Sequence, residues 1–213
     1  MHSHQFNRLF APDQLRAPRD FIKTAIKPVL NAPLILEIGA GKGHHALSLA
    51  QTTDQPVSAI ERTRTRFEAF KKLAAATNCP NLQPVHADAI PWCVHALLPK
   101  TVSQVFLLYP NPERANPNQR WHRMPFMEFL LSRMNTGARL TLATNIESYA
   151  LECEEWLREV WQLPVTIAPV AKTSVRTAFE VKYLARGEAC WQIEAEKPEG
   201  YVTRFDDWST VSQ

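Results

Sequence analysis

Three acids and a cluster of glycines are the residues with the clearest chemical potential in this sequence. Three of the six glycines in the 213-residue chain stand within the segment 39–43. A chain that uses glycine so sparingly needs it there for positive φ angles or for close approach of the backbone to a ligand. Each acid ends or directly follows a short apolar run. The six residues are Glu37, Gly39, Gly41, Gly43, Glu61 and Asp88.

This pattern favours a ligand with a cationic centre over a dinucleotide. The dinucleotide fingerprint G-x-G-x-x-G requires a third glycine at position 44, where this chain has His44. The charge of Glu37 would repel a pyrophosphate but would attract a sulfonium or an ammonium group. Glu61 could accept both ribose hydroxyls of an adenosine, and Asp88 could reach the adenine edge. We therefore predict S-adenosylmethionine as the cofactor and exclude a dehydrogenase.

A simpler interpretation exists for each of these residues taken singly. The glycine loop alone could be a tight turn between a strand and a helix, with no ligand. Each acid alone could be a solvated strand end or the N-cap of a helix. The placement of all three acids after successive apolar runs favours the common site.

A second polar set follows the fourth apolar run. Two prolines bracket Asn111 and hold its side chain rigidly at the predicted strand end. The loop after it carries Trp121 among several arginines, a combination that suits RNA phosphates and a stacked base. The alternative is a loop that only covers the edge of the sheet. The arginines are Arg114, Arg120 and Arg123.

The elements that must position these residues alternate between strand and helix. The predicted strands are 33–39, 56–61, 82–87, 102–109, 139–144, 165–170 and 189–196. The predicted helices are 19–30, 46–51, 64–77, 92–98, 124–134 with Gly137 as its cap, 146–161 and 178–186. The helix 146–161 presents an acidic face that includes Glu152. This alternation predicts an α/β fold, a doubly wound and mostly parallel sheet with ligands at the carboxyl ends of its strands.

Composition and charge limit the class of protein further. The chain is 45% hydrophobic and 21% charged, which is typical of globular proteins and excludes disorder, collagen and coiled coil. Its net charge of +3 permits an anionic partner without requiring one. The four cysteines lack metal-ligand spacing, so reduced thiols and no metal are expected.

The organisation of the chain follows from its length and its termini. No apolar stretch is long enough to span a bilayer, and the first residues do not resemble a signal peptide. We therefore expect a cytoplasmic protein with no membrane contact, and a monomer. Residues 1–17 are predicted to be an irregular lead-in, and residues 18–213 a single domain.

Taken together, the motifs resemble those of the bacterial tRNA (guanine-N7)-methyltransferases, from about residue 34 to about residue 196. The resemblance rests on the segments 36–43, 60–61, 81–89, 109–112, 143–150 and 177–180. It implies a Rossmann-like methyltransferase that uses S-adenosylmethionine and methylates N7 of a guanine in tRNA. It also implies that Glu37, Glu61 and Asp88 hold the cofactor. The same comparison implies a guanosine-binding segment at Thr177, Phe179 and Glu180.

The departures from this family concentrate where the substrate should bind. The family's Pro-Asp-Pro-Trp becomes Pro-Asn111-Pro-Glu113, its Thr-Asp-Trp becomes Thr-Asn145-Ile, and its Thr-Lys-Phe-Glu carries Ala178. An amide cannot accept two parallel N–H bonds as a carboxylate does, nor can it take a proton. Guanine N7 already has a free lone pair, so transfer could run on positioning alone. Asn111 is thus predicted to be catalytic and Asn145 to bind substrate.

Three other functions stay open at this point. One is a methyltransferase of the same fold that acts on another nucleic acid or on a small molecule. A related possibility is an exocyclic amino acceptor, because Asn111-Pro112 matches the start of the Asn-Pro-Pro-aromatic motif used for that chemistry. The third is an RNA-binding homologue that has lost catalysis.

Overall fold

The computed structural model describes residues 9–19, 21 and 33–209. The strands are β1 (Leu34–Ile38), β2 (Val57–Glu61), β3 (Leu82–His86), β4 (Val102–Leu108), β5 (Met134–Thr144), β6 (Val165–Pro169) and β7 (Trp191–Glu196). The helices are α1 (His44–Thr52), α2 (Arg64–Ala75), α3 (Ala89–Ala96), α4 (Phe126–Arg133), α5 (Glu147–Glu155) and α6 (Ala178–Leu184). Strand and helix alternate, as the sequence predicts.

The seven strands form one sheet in the order β3-β2-β1-β4-β5-β7-β6. Strands β1 to β5 pair in parallel, whereas β7 is antiparallel to both β5 and β6. The order of the strands reverses beside β1, which creates the switch point where doubly wound sheets bind ligands. The predicted doubly wound, mostly parallel sheet is confirmed.

Helices cover both faces of the sheet, which explains the continuous apolar runs of its central strands. All five residues of β1 and all five of β2 are buried. Consecutive residues of a strand point to opposite faces, so Ile35 and Leu36 enter different apolar clusters. Phe70 of α2 packs in the cluster with Ile35, and Phe129 of α4 packs in the cluster with Leu36.

The described part of the lead-in is irregular but packed on this core. A single 3-10 turn spans Pro12–Gln14. The ring of Phe10 lies 5.5 Å from the ring of Phe126 and 5.9 Å from that of Phe205, in edge contacts. The predicted helix 19–30 lies almost wholly outside the described residues, and the division of the chain at residue 18 stays a prediction.

The ends of two helices differ in kind from the sequence prediction. Gly137 was expected to cap α4, but α4 ends at Arg133 and Gly137 lies inside β5 with φ of +73°. The register between β4 and β5 shifts nearby, because Val102 pairs with Met134 but Gln104 pairs with Arg139. The glycine thus accommodates a local irregularity in the strand rather than a helix end.

The other difference concerns the helix 146–161. It is α-helical only to Glu155 and continues as a π-helical turn over Trp156–Val160. In that turn the backbone bonds run i→i−5, as from the N–H of Trp161 to the carbonyl of Trp156 at 3.1 Å, and the indole of Trp161 donates to the carbonyl of His122 at 2.7 Å. The end of α5 is therefore tied to the loop that follows β4.

Gly43 illustrates how closely the glycine loop and α2 are packed. Its φ is +82°, and a Cβ at this position would lie 1.9 Å from Cδ2 of Phe70. The ring of Phe70 is completely buried and has no room to move away. Only glycine satisfies both the backbone angle and the packing at position 43.

We expect Gly43→Ala to destabilise the fold more than Gly39→Ala, although both glycines have φ of +82°. No atom from beyond the neighbouring residues would lie within 4 Å of a Cβ at Gly39. The Gly39 variant therefore measures the backbone cost alone, about 1–2 kcal/mol. The Gly43 variant should lose about 1–3 kcal/mol more from overpacking. Urea unfolding of both variants checks this, and equal losses would contradict it.

Candidate active site

Five loops that carry polar residues meet at one edge of the sheet. Because β1 to β5 run parallel, their carboxyl ends all emerge at this edge. The glycine loop follows β1, and Asn111 follows β4 on the other side of the switch point. The remaining predicted residues at this edge are Glu61 at the end of β2, Asp88 after β3 and Asn145 after β5.

Glu61 holds the glycine loop in place through backbone hydrogen bonds. Its Oε2 accepts the N–H of Gly41 at 2.9 Å, and its Oε1 accepts the N–H of Thr63 at 2.6 Å. The amides of Gly39 and Ala40 both donate to the carbonyl of Ile60, at 2.8 and 2.9 Å. These contacts fold the loop back over the end of β2 and bring its backbone beside a buried carboxylate.

The loop leaves its backbone accessible on the outer side. At Gly39 and at Gly41, no atom from beyond the adjoining residues lies within 4 Å of an ideal Cβ position. A ligand can therefore approach these peptide units closely, which a larger side chain would prevent. The open glycines and the carboxylate of Glu61 lie on the same stretch of the edge, as a nucleoside-type ligand requires.

Glu37 lies beneath the loop, in a buried contact with His45. Its side chain is only 2% exposed, and its Oε2 lies 3.1 Å from Nδ1 of His45. The ring of His45 in turn contacts Phe106 edge-on, at 4.8 Å between ring centres. The sequence predicted Glu37 as a cofactor residue but not its contact with His45. The histidine stands eight positions away on the first turn of α1, and this spacing carried no recognisable motif.

Asp88 caps a helix, which is one of the two roles that the sequence allowed for it. Its Oδ1 accepts the N–H of Ile90 at 3.1 Å and so caps α3. This cap explains why α3 begins at Ala89, three residues before the predicted start. The other oxygen, Oδ2, lies 4.0 Å from Nη1 of the exposed Arg62, and half of the Asp88 side chain is accessible to solvent. One carboxylate oxygen therefore stays accessible to a ligand.

Asn111 lies in a loop with two unusual backbone angles. Tyr109 and Glu113 have φ of +53° and +46°, which non-glycine residues rarely adopt. Each such angle costs about 1–3 kcal/mol and persists only where the surrounding structure enforces it. The Nδ2 of Asn111 donates to Oε1 of Glu113 at 2.9 Å, while the side chain as a whole is exposed.

A stack of aromatic rings brings α6 to the end of β4. Tyr109 stacks on Phe179 at 4.8 Å, and Phe179 stacks on Tyr183 at 4.4 Å. Burial raises the pKa of the Tyr109 hydroxyl, so it stays a neutral phenol. The predicted substrate segment, which includes Thr177, thus lies beside the Asn111 loop, although the two are more than sixty residues apart in sequence.

The carboxylate of Glu180 is fully buried and already bonded within the chain. It accepts the hydroxyl of Ser174 at 2.5 Å and Nη2 of Arg176 at 2.6 Å. Burial alone would raise the pKa of Glu180, but the hydrogen bonds from Arg176 and Ser174 outweigh it and lower that pKa. Its backbone N–H donates to Oγ1 of Thr177 at 3.1 Å, which caps α6.

Arg176 is a residue that the sequence analysis missed. It also donates Nη1 to Oε1 of Gln192 on β7, at 2.5 Å. Its opposite charge four residues before Glu180 was the available signal, although Arg176 itself precedes α6. Arg176 thus ties the predicted substrate segment to the sheet.

Two of the three loop arginines converge on one carboxylate of α5. Arg120 and Arg123 both donate to Glu152, and Nε2 of His122 lies 3.0 Å from its Oε1. Trp121 is half-buried and packs edge-on against Phe126, at 6.1 Å between ring centres. Of the arginines predicted to contact phosphate, Arg114 is the exposed one.

Glu152 lies in surroundings that the sequence did not indicate. The sequence places it on the acidic face of the helix 146–161, and in the structure its side chain is only 17% exposed and lies under the loop. Burial by itself would raise the pKa of Glu152, but the hydrogen bonds from His122 and Arg123 lower it. No local signal could have indicated this, because the partners lie about thirty residues earlier in the chain.

The described residues contain neither a group of metal ligands nor a membrane-spanning helix. In residues 9–19, 21 and 33–209 no three His, Cys, Asp or Glu side chains are grouped as metal ligands. The same part of the chain contains no helix both long and apolar enough to cross a bilayer.

The strand order, the antiparallel β7 and the ligand edge at the switch point define a Rossmann-like methyltransferase fold. The family described as "Putative methyltransferase" matches residues 31–193, which is most of the chain. The chain belongs to this methyltransferase family.

Similar proteins include the tRNA (guanine-N(7)-)-methyltransferases of Burkholderia ambifaria and Nitrosospira multiformis. The first is 29% identical over 176 residues, which is 80% of this chain and 69% of the relative. The second is 27% identical over 176 residues, which is 80% of this chain and 77% of the relative. These relatives confirm the resemblance drawn from the motifs, with this chain as a divergent member.

Solved structures of methyltransferases share the fold at lower identity. A SAM dependent methyltransferase from Aquifex aeolicus has a TM-score of 0.56 and 15% identity, over 78% of this chain and 82% of its own. The 16S rRNA methyltransferase KamB has a TM-score of 0.59 and 16% identity, over 78% of this chain and 88% of its own. These similarities confirm the Rossmann-like fold.

We expect the stability of the protein to fall as the pH drops from about 6.5 to about 4. Burial lowers the pKa of His122, which is fully buried, to about 4. The pKa of His122 is lower in the folded protein than in the unfolded chain. Its contribution to the free energy of unfolding is therefore fully present above pH 6.5 and is lost as the pH falls. Over this pH range the free energy of unfolding should fall by about 3 kcal/mol.

Denaturant unfolding at several pH values measures this dependence. His122→Gln should be less stable at neutral pH but should flatten the slope between pH 6.5 and 4. His44→Gln, at an exposed histidine of α1, is the matched control and should keep the slope of the wild type. An unchanged slope in the His122 variant would show that other groups cause the dependence.

Proposed function

We propose that this protein uses S-adenosylmethionine to methylate N7 of a guanine in tRNA. The observation that carries the proposal is the carboxylate of Glu61, buried at the end of β2 beside a glycine backbone that is open to a ligand. Asn111 and α6 face this edge from across the switch point. The relatives that act on tRNA guanines support the choice of acceptor.

The residues at the β1–β3 side of the edge fit the proposed cofactor. Each oxygen of Glu61 accepts one backbone N–H and retains a lone pair for a ribose hydroxyl. The solvent-facing oxygen of Asp88 can accept the amino group of the adenine. Gly39 and Gly41 leave space for the methionine part, and the Glu37–His45 pair lies beneath it. When bound, the cofactor supplies an electrophilic methyl group on a positively charged sulfur.

The residues at the β4–β5 side fit an acceptor that needs no base. Guanine N7 has a free lone pair, so the protein has only to orient the ring. The oxygen of Asn111 can accept one N–H of the base, and Asn145 offers a second amide from the end of β5. Phe179, 40% exposed, offers an apolar ring edge beside them. Thr177 caps α6, and the buried carboxylate of Glu180 anchors it. Together they hold Phe179 in place.

The phosphates of the RNA would meet the loop that follows Asn111. Arg114 is exposed there and can bind a phosphate directly. Arg120 and Arg123 add positive charge beside it while they remain bound to Glu152. With tRNA as the substrate, we propose that the reaction takes place in the cytoplasm. We also propose that the protein acts as a monomer.

A second candidate is a methyltransferase of this fold with an acceptor other than guanine N7. Three features favour it. Asn111 and Asn145 are amides where the family has carboxylates, and the carboxylate of Glu180 is bonded to Ser174 and Arg176. A guanine would therefore find fewer free acceptors here than in the rest of the family.

The deciding experiment is methyl transfer to tRNA from a strain that lacks 7-methylguanosine. The protein is incubated with labelled S-adenosylmethionine and this tRNA, and the digested nucleosides are separated. Label in 7-methylguanosine supports the proposal. Label in another nucleoside supports the second candidate, and binding of the cofactor without any transfer supports an inactive RNA-binding homologue.

Replacement of Glu61 should weaken cofactor binding. We expect Glu61→Ala to raise the dissociation constant of S-adenosylmethionine about 10- to 100-fold, because a ribose bond worth about 1.5–3 kcal/mol is lost. Calorimetry measures this, and Glu68→Ala at an exposed position of α2 is the control, with unchanged affinity. Tight binding of NADH with no response to S-adenosylmethionine would overturn the cofactor assignment.

Restoring the two carboxylates tests the acceptor. If guanine N7 is the acceptor, Asn111→Asp with Asn145→Asp should raise 7-methylguanosine formation about tenfold, since a carboxylate strengthens hydrogen bonds to the base. If the amides serve another acceptor, the double variant should instead lose its native activity. Nucleoside analysis of both proteins separates these results, and no change in any product would mean that neither residue faces the substrate.

A further inference from the structure

We propose that Glu152 is a positioning residue that holds the Asn111 loop in the geometry for methyl transfer, and that it acts through Arg120. The inference rests on the proposed function of the Asn111 edge. It assigns a role to a carboxylate on α5 that does not itself reach the acceptor.

The guanidinium of Arg120 connects α5 directly to the backbone beside Asn111. Its Nη1 donates to Oε2 of Glu152, and its Nε donates to the carbonyl of Pro112 at 2.9 Å. Pro112 is the residue after Asn111, so the link fixes the peptide next to the proposed catalytic amide. A planar guanidinium can make both bonds at once because its donors are held in a fixed fork.

Glu152 is itself fixed by its surroundings. Its Oε1 also binds His122 and Arg123. The guanidinium of Arg120 lies 5.3 Å from the ring centre of Tyr149, and that of Arg123 lies 4.8 Å from the ring centre of Trp156. Both rings belong to α5 and the π-helical turn after it, so the cluster is anchored on one helical element.

The strained loop needs such an anchor. Tyr109 and Glu113 keep positive φ angles on either side of Asn111, and a free loop would relax to ordinary angles. Tyr109 is held by its stack on Phe179. At the Glu113 end, the bond from Arg120 to the carbonyl of Pro112 supplies the constraint. Loss of Glu152 would leave Arg120 free to swing away, and Asn111 would lose its orientation.

Two lysine substitutions separate positioning from charge. Arg120→Lys and Arg123→Lys both keep the positive charge of the loop, but a lysine at position 120 lacks the fixed fork that holds Glu152 and Pro112 together. We expect Arg120→Lys and Glu152→Gln to lower kcat about 10- to 100-fold, as a displacement of about 1 Å at a reacting centre does. The affinity for S-adenosylmethionine should stay unchanged, because that ligand binds across the switch point. Arg123→Lys should lower kcat less than Arg120→Lys does.

The matched control for Glu152→Gln is Glu154→Gln. Glu154 lies on the same helix and pairs with the half-exposed Arg158, away from the loop. This variant should keep the kcat of the wild type. Hydrogen exchange adds a readout that does not depend on activity. In Arg120→Lys and Glu152→Gln, amides of residues 111–123 should exchange faster while those of β1, β4 and β5 stay protected.

The outcomes are distinguishable from a failure of the proposed function. Unchanged kcat in both variants would overturn the positioning role. Lost activity together with faster exchange across the whole sheet would also overturn it, because that result indicates a merely structural role. The wild-type protein could transfer no methyl group while the loop alone loosens in these variants. That result would overturn the proposed function but support the role of Glu152 in holding the loop.

Discussion

The backbone of β1 hydrogen-bonds to β2 on one side and to β4 on the other, in parallel in both cases. The chain builds the sheet outward in one direction up to β3 and then returns to build it in the other. Both faces of the central strands must therefore be covered by helices, and every carboxyl end from β1 to β5 emerges at one edge. The candidate site is a consequence of this pairing, because the pairing brings five loops to one edge.

Buried carboxylates at and near this edge are each compensated by a specific partner. Glu61 is bonded to backbone amides, Glu37 to His45, Glu180 to Arg176, and Glu152 to a group of cations. A carboxylate without such a partner would be too costly to bury. The partners also order the site, since Glu61 holds the glycine loop and Glu152 holds the loop after β4. The same charges thus position the backbone and shape the field in which a cationic ligand would bind.

The order of strands and helices, the parallel sheet and the edge that carries the site could all be predicted from the sequence. The apolar run before Gly39, the spacing of the glycine loop and the acids after successive strands are local patterns. They act through backbone conformation and burial, which depend on neighbouring residues. Element boundaries were predicted less well: Gly137 looked like a helix cap, but the pairing of β5 with β4 decided its role.

Only the tertiary structure decided which charged residues are free and which are bound to one another. The sequence placed Arg120 on the loop after the fourth strand and Glu152 on the acidic face of a helix, and the fold brings them into contact across 32 positions of the chain. It likewise sets Phe70 against Gly43 and stacks Phe179 on Tyr109. Such contacts depend on how distant segments pack on the two faces of the sheet. Residue type and local spacing do not determine that packing. They do determine the alternation of strands and helices, because each element depends on the pattern of apolar residues in a short stretch of the chain.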